Sequence, residues 1–252
     1  MRNRTASLWL WRLVVACVLL GSWELYGRVV DATWTSQPSL IVARFVELLP
    51  GRLWFDVVVT LSEISVGLLI GLPSGVLVGL VLGRLPFTAA LLRPVIIALN
   101  SVPVIALAPL LIMWFGLGLA PKIALVTLVV FFLIFFNTFA GVQAVDKDWI
   151  ATLSLMGGTS REQFQKVIAP ACLAWILSGL KSALPYSLIA ATVGEMMLAR
   201  AGIGHLITSS AQQFDITGVF TGLVVLMALG GIINNLAARL EAWLLRWRPS
   251  IA

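Results

Sequence analysis

The chain has 252 residues, 60% hydrophobic and only 11% charged, with a mean hydropathy of +1.02 and a formal net charge of +6. Soluble domains carry roughly 25% charged residues, so this composition excludes an ordinary soluble enzyme and predicts one integral membrane domain with several spans. Its apolar runs are long and continuous between short turns, which excludes the every-other-residue alternation of an outer-membrane barrel.

Arg2 and Arg4 precede an apolar run, as in a signal peptide. Arg12 interrupts that run and no Ala-x-Ala-like cleavage site follows, so Leu8 to about Val30 is predicted to be a retained first span. Trp9, Trp11, Trp23 and Tyr26 lie near its ends, where aromatic belts form. Glu24 and Arg28 have the i,i+4 spacing of a helical ion pair. Between Asp31 and Asp56 the chain is more polar; Pro38 opens a short helix with Ile41, Phe45 and Leu48 on one face, the pattern of a helix lying in the membrane surface.

The second span, Val57 to about Gly83, repeats glycine every fourth residue at Gly67, Gly71, Gly75, Gly79 and Gly83. That spacing predicts a groove free of side chains where another helix approaches closely, and Pro73 predicts a kink. After the turn Arg84-Leu85-Pro86, the third span runs from Phe87 to about Phe115 and is broken by Pro94, Pro103 and Pro109, with Asn100 and Ser101 in its middle. Non-helical backbone at membrane depth survives only against protein or a water-filled cavity. The span therefore reads either as a liner of a transport pathway or as a kinked packing helix. Gly116 to Pro121 is a tight outer turn, and the fourth span, Lys122 to about Val145, carries Asn137 and Thr138. A fifth span, about Cys172 to Leu198, carries Lys181, Pro185 and Glu195. A short loop, Ala199 to Ile216, holds the single histidine, His205, and the last span runs from Thr217 to Leu245.

Between the fourth and fifth spans, Asp146 to Pro170 is the longest polar interruption. Asp148 is predicted to N-cap a helix running to Met156, with Trp149, Leu153 and Met156 on one face. Gly157-Gly158 stops it, and Thr159 with Glu162 forms a capping box that starts a second helix bearing Phe164, Val167 and Ile168. A helix–turn–helix between two spans predicts a docking knob for a soluble partner.

Six spans with a cytoplasmic N-terminus put both termini inside and eleven basic residues, Arg2 to Arg248, on the inner side, against Arg28, Arg44, Arg52, Lys122 and Arg200 outside. That satisfies the positive-inside rule and places the knob in the cytoplasm. No basic run interleaved with aromatics points to nucleic acid. Cys17 and Cys172 sit in apolar stretches, and no metal-type clustering occurs. Gly116 to Lys122 departs from a phosphate loop, with Pro121 before the lysine and Ile123 after it, so the chain is not expected to bind ATP. Ser74 and His205 lack a nucleophile elbow around them, which argues against a membrane enzyme. Glu63, Lys181 and Glu195 fall within or near membrane depth. Each reads as functional or, for Lys181 and Glu195, as snorkelling to the inner and outer surfaces. Proton coupling through Glu63 or Glu195 would make a secondary carrier, but no inverted repeat is visible.

Taken together, these stretches resemble the permease subunits of binding-protein-dependent ABC importers, in the nitrate/sulfonate/taurine branch. The coupling-loop pattern of that family is Glu-Ala-Ala, three residues, Gly, nine residues, Ile, one residue, Leu-Pro; Gly157 and Pro170 keep the spacing and Val167 stands at the Ile position. Also similar are Pro103-Val104-Ile105-Ala106-Leu107-Ala108-Pro109-Leu110 and Trp114-Phe115-Gly116-Leu117-Gly118, then Phe131-Phe132 with Asn137-Thr138 and Gly141-Val142, and Glu195-Met196-Met197 followed by Gly202-Ile203-Gly204. The similarity covers about residue 38 to the end. The Glu-Ala-Ala triplet is Ala151-Thr152-Leu153 here, Ala169 precedes Pro170, and Glu63 stands where an arginine is usual. Asp146, Asp148 or Glu162 then supplies the missing acid, or the partner's groove fits an apolar knob.

The resemblance implies an all-α membrane protein of about six transmembrane helices in the type I ABC-importer permease arrangement. Residues 1–56 would form the first span and a periplasmic interfacial helix, and 57–245 the core permease with coupling loop 146–170. It implies a bacterial inner-membrane location, a second permease copy, two cytoplasmic ATP-binding subunits that hold ATP and Mg, and a periplasmic or lipid-anchored solute-binding protein. No cofactor is expected on this chain. The coupling residues would be Trp149, Leu153, Met156, Gly157, Gly158, Thr159, Glu162, Phe164 and Pro170. The pathway residues would be Asn100, Ser101, Asn137, Thr138 and Glu195. The expected solute is an organosulfonate, taurine or nitrate-type anion, with a thiamine-precursor-type heterocycle and a proton-coupled carrier as alternatives.

Overall fold

A computed structural model describes residues 2–30, 34–198 and 200–244, and every regular element among them is helical. Helix α1 (Arg2–Val29) is a peripheral span, with 6% of its apolar window buried. The Glu24 carboxylate helps tie it to the rest. Glu24 accepts from Arg28 Nε at 3.0 Å, from the Ser39 amide at 3.0 Å and from Ser39 Oγ at 2.8 Å. Ser39 lies in the first turn of α2 (Pro38–Leu48), which proline opens because the first helical N–H needs no partner. A π turn at Leu49–Leu53, with Gly51 outside helical geometry at φ −128° and ψ −107°, redirects the chain into α3 (Trp54–Gly83).

Helix α3 continues through Pro73 without a break and packs its glycine stripe along the fourth span. The approach is too close for any side chain. A Cβ at Gly71 would stand 2.7 Å from the Thr127 carbonyl, and one at Gly75 would stand 2.8 Å from that of Phe131. The predicted third span is two helices, α4 (Pro86–Asn100) and α5 (Ala108–Phe115), joined by a 3-10 turn at Val104–Leu107 and bent by 77°. Pro103 has no N–H to continue the ladder and disfavours helical geometry at Val102, so the chain unwinds between them.

Gly116 and Gly118, at φ +72° and +133°, make the turn into α6 (Leu119–Gln143). This helix begins before Lys122, since Pro121 is tolerated in a first turn. After α7 (Lys147–Leu155), α8 (Ser160–Gln163) passes through a π turn at Phe164–Ile168 directly into α9 (Ala169–Leu198). The second knob helix is thus the opening of the fifth span rather than a separate element. Pro170 has no N–H to offer Lys166, and the Ala169 amide bonds Phe164 O five residues back, which carries the ladder past it. The predicted loop before the last span contains α10 (Ile203–Gln212), because Ile203, Leu206 and Ile207 bury one face against Leu53 and Val225. The chain ends its described part in α11 (Ile216–Leu244).

Among the described residues, five helices are long and apolar enough to cross a membrane, or six if the bent pair counts as one span. A bilayer core of about 30 Å needs about 20 apolar residues, which the 25 of α6 and 30 of α3 exceed. Helix α6 is the centre, with α3 on one side and α9 on another, around Leu125, Val126, Val130, Ile134, Ala183 and Ala190. Phe45 and Leu48 of α2 pack on the α10 cluster.

Candidate functional site

The knob lies at the end of the bundle where α3 meets α4. Arg84 of that turn stands 4.1 Å over the Phe164 ring, and Gln143 Nε2 donates to Gly83 O at 3.1 Å. Asp146, not Asp148, is the N-cap of α7. Its carboxylate accepts from the Asp148 amide at 2.9 Å, because a cap bonds the amide two residues on and Asp148 is already helical. The helix closes in a Schellman arrangement, with Gly158 N–H donating to Leu153 O at 2.9 Å and Gly157 N–H to Ser154 O at 3.0 Å. Gly157 sits at φ +79°. Gly158 leaves room for Leu153, whose Cγ would lie 2.7 Å from an added Cβ.

Thr159 and Glu162 then cap α8 reciprocally. The Glu162 amide donates to Thr159 Oγ1 at 3.3 Å and the Thr159 amide to Glu162 Oε2 at 3.0 Å. Lys166 reaches Glu162 at 3.0 Å, and Gln163 Nε2 donates across the turn to Ser154 Oγ at 2.9 Å. Two short helices are thus locked together and joined to the membrane part through α9. Trp149, Leu155 and Met156 are left exposed, 68%, 90% and 78% respectively. Three large apolar side chains held out by a rigid turn form a ready contact for another protein. Leu155 and Arg84 belong to this surface and escaped the sequence reading. Leu155 falls outside the i, i+4, i+7 face of Trp149, and Arg84 contributes only through the fold.

A second constellation fills the opposite end. Five polar side chains from three helices meet out of water: Asp56, Thr60 and Glu63 of α3, Lys122 of α6 and Glu195 of α9. Thr60 donates to Glu195 Oε1 at 2.6 Å and accepts from the Ile203 amide at 3.1 Å. Asp56 accepts from the Gly202 amide at 2.8 Å and Glu195 from the Gly204 amide at 2.7 Å. The amides at the start of α10 are therefore clamped by two carboxylates and a hydroxyl. Lys122 pairs with Glu63, and Arg52 stands 3.5 Å from Asp56. Lys122 is thus buried rather than displayed at an outer surface, and Glu195 does not snorkel. Lys181 pairs with Glu241 at 2.9 Å.

Of the other pathway candidates, Asn100 and Ser101 are exposed at the break between α4 and α5, where Asn100 lines a cavity of about 290 Å³ with Phe132, Phe136 and Tyr186. Asn137 Nδ2 donates to Leu133 O at 2.8 Å, and its side chain lies against Gly179. Thr138 is buried against Gly79 in the α3–α6 contact. The structure therefore does not gather the five pathway candidates at one place.

Long helices packed through a glycine groove, with one apolar knob between two of them, define a multi-span helical membrane protein. The family described as binding-protein-dependent transport system inner membrane component matches residues 71–246, and the chain belongs to that family. It is 32% identical over 245 residues to the putative aliphatic sulfonates transport permease protein SsuC of Bacillus subtilis (strain 168), covering 96% of this chain and 89% of that one. It is 32% identical over 232 residues to the formylaminopyrimidine transport permease protein ThiX of Halalkalibacterium halodurans, covering 92% and 93%. The fold is similar to that of a chain from inward-facing crystal structures of the MetNI methionine ABC transporter, with a TM-score of 0.59, 23% identity and coverage of 75% and 92%. The protein is a transmembrane permease subunit of an ABC importer, an inner-membrane transport component with the type I permease fold. With that, the proton-coupled carrier and the membrane enzyme fall away.

Proposed function

We propose that this permease imports a small organic anion of the sulfonate or taurine type, or nitrate, as a pair of copies driven by two ATP-binding subunits and fed by a solute-binding protein. ATP and Mg sit on those partner subunits in this reading. The knob is the lever. It faces the cytoplasm, where the closing ATPases press on Trp149, Leu155 and Met156, and α8 passes the stroke straight into α9. A lever transmits displacement only if it does not bend. The observation that carries the reading is the locked turn, with its Schellman closure, its reciprocal cap and the Gln163–Ser154 bond. In this reading the start of α1 and the end of α11 lie on the same side as the knob, and α2 lies on the outer, periplasmic side. A heterocycle of the pyrimidine class is the second reading, favoured by the equal identity to the ThiX protein.

Proteoliposomes holding the complete complex test this directly. ATP-driven uptake of an aliphatic sulfonate, unchanged when the proton gradient is collapsed, is expected. Uptake of a formylaminopyrimidine and of no sulfonate would transfer the assignment to the heterocycle. Ser160→Cys should react with a membrane-impermeant maleimide only from the cytoplasmic side; reaction only from outside would overturn the lever.

A further inference from the structure

At the end opposite the knob, a cavity of about 510 Å³ opens between α3, the start of α6 and the segment before α10. Its walls are Phe55, Val59, Leu117 and Leu119, and its two charged lining groups, Lys122 and Arg200, are both cations. Small-molecule sites are of this size and make-up, mostly apolar with a few fixed polar groups. The two cations are held differently. Lys122 is anchored from behind by the buried Glu63. Arg200 is exposed and makes no hydrogen bond or ion pair to the described residues, so its guanidinium is available. The backbone just beyond it is held, because Gly202, Ile203 and Gly204 are clamped by Asp56, Thr60 and Glu195. The buried acids thus support the segment that carries Arg200 at the rim of the apolar hollow, and a site supported in this way loses little entropy on binding.

We propose that this cavity is an anion-binding site of the permease that takes an oxyanion head on an apolar body. Arg200 grips the head with its planar fork, and Phe55, Val59 and Leu119 cover the body. The chemistry suits an organic sulfonate, and naming that solute as the occupant rests on the proposed function. An anionic phospholipid headgroup has the same chemistry. An inorganic anion such as nitrate would leave the apolar wall unused, and a neutral heterocycle would leave the guanidinium unused.

The test uses the complete importer in nanodiscs of phosphatidylcholine, titrated calorimetrically with 1-hexanesulfonate and with hexylammonium as the opposite-charge control. Hexanesulfonate should bind at least tenfold more tightly than hexylammonium. Arg200→Gln should weaken it about tenfold, the size of one lost charge-assisted hydrogen bond, with Arg200→Lys, which keeps the charge and loses the fork, in between. Equal affinity for the two probes, or wild-type affinity in Arg200→Gln, would overturn the site. Binding seen in phosphatidylcholine and lost when phosphatidylglycerol is included would overturn the solute as occupant in favour of a lipid headgroup. Uptake provides the separation. Sulfonate import with an unchanged KM in Arg200→Gln would sink the site and leave the importer reading standing. A wild-type complex that imports no sulfonate, yet binds hexanesulfonate through Arg200, would do the reverse.

Discussion

Removing one partner of the Glu63–Lys122 pair should damage the permease far more than removing both. The side chains are 0% and 7% exposed, so neither charge regains water when the other is deleted. Breaking a buried pair from one side costs about 3–5 kcal/mol, whereas replacing both members with neutral groups of similar volume is often neutral or stabilising. Glu63→Gln and Lys122→Met should therefore each lose at least about 3 kcal/mol, and the double variant should return to within about 1 kcal/mol of the original. The assay is reversible unfolding in mixed micelles, followed by circular dichroism. The exposed Glu24–Arg28 pair, at 64% exposure on the arginine, supplies the control. Arg28→Gln should change stability by no more than about 0.5 kcal/mol. Single variants within about 1 kcal/mol of the original, or a double variant as poor as the sum of the singles, would refute the claim that these charges are held out of water together.

The glycine groove predicts a change of sign along the sequence. Gly75→Ala drives a Cβ into Phe131 O and Ile134 and should destabilise by about 1–3 kcal/mol in the same unfolding assay, while Gly231→Ala meets nothing within 4 Å and should stabilise by up to about 1 kcal/mol. At the clamp, Thr60→Val strands the Ile203 amide and Glu195 Oε1 and should cost about 1–3 kcal/mol, with Thr60→Ser close to wild type. In the knob, Gly157→Ala forces a side chain into φ +79°, at a cost of about 1–2 kcal/mol. Amide exchange in Lys147–Leu155 should then quicken and ATP-driven uptake fall several-fold.

Much of this molecule was legible along the chain, where the signal is local. Apolar runs mark spans because backbone in lipid must satisfy itself within a helix. Glycines at every fourth residue mark a close helix contact, and Thr159 with Glu162 marks a helix start, because both follow from helical spacing alone. The cap at Asp146 was missed by two residues, since Asp148 offers the same chemistry and only backbone geometry separates them. What the tertiary structure alone decided are the relations between distant segments. Lys122, directly after a proline, gives no sign that Glu63, 59 residues earlier, will meet it inside the bundle. Glu195 and Thr60 likewise come together only because α3 and α9 lie against the start of α10. Sequence spacing reports which residues share a face of one helix; which faces then meet is settled by packing the whole bundle, and it is there that isolated charges become a clamp and a cavity.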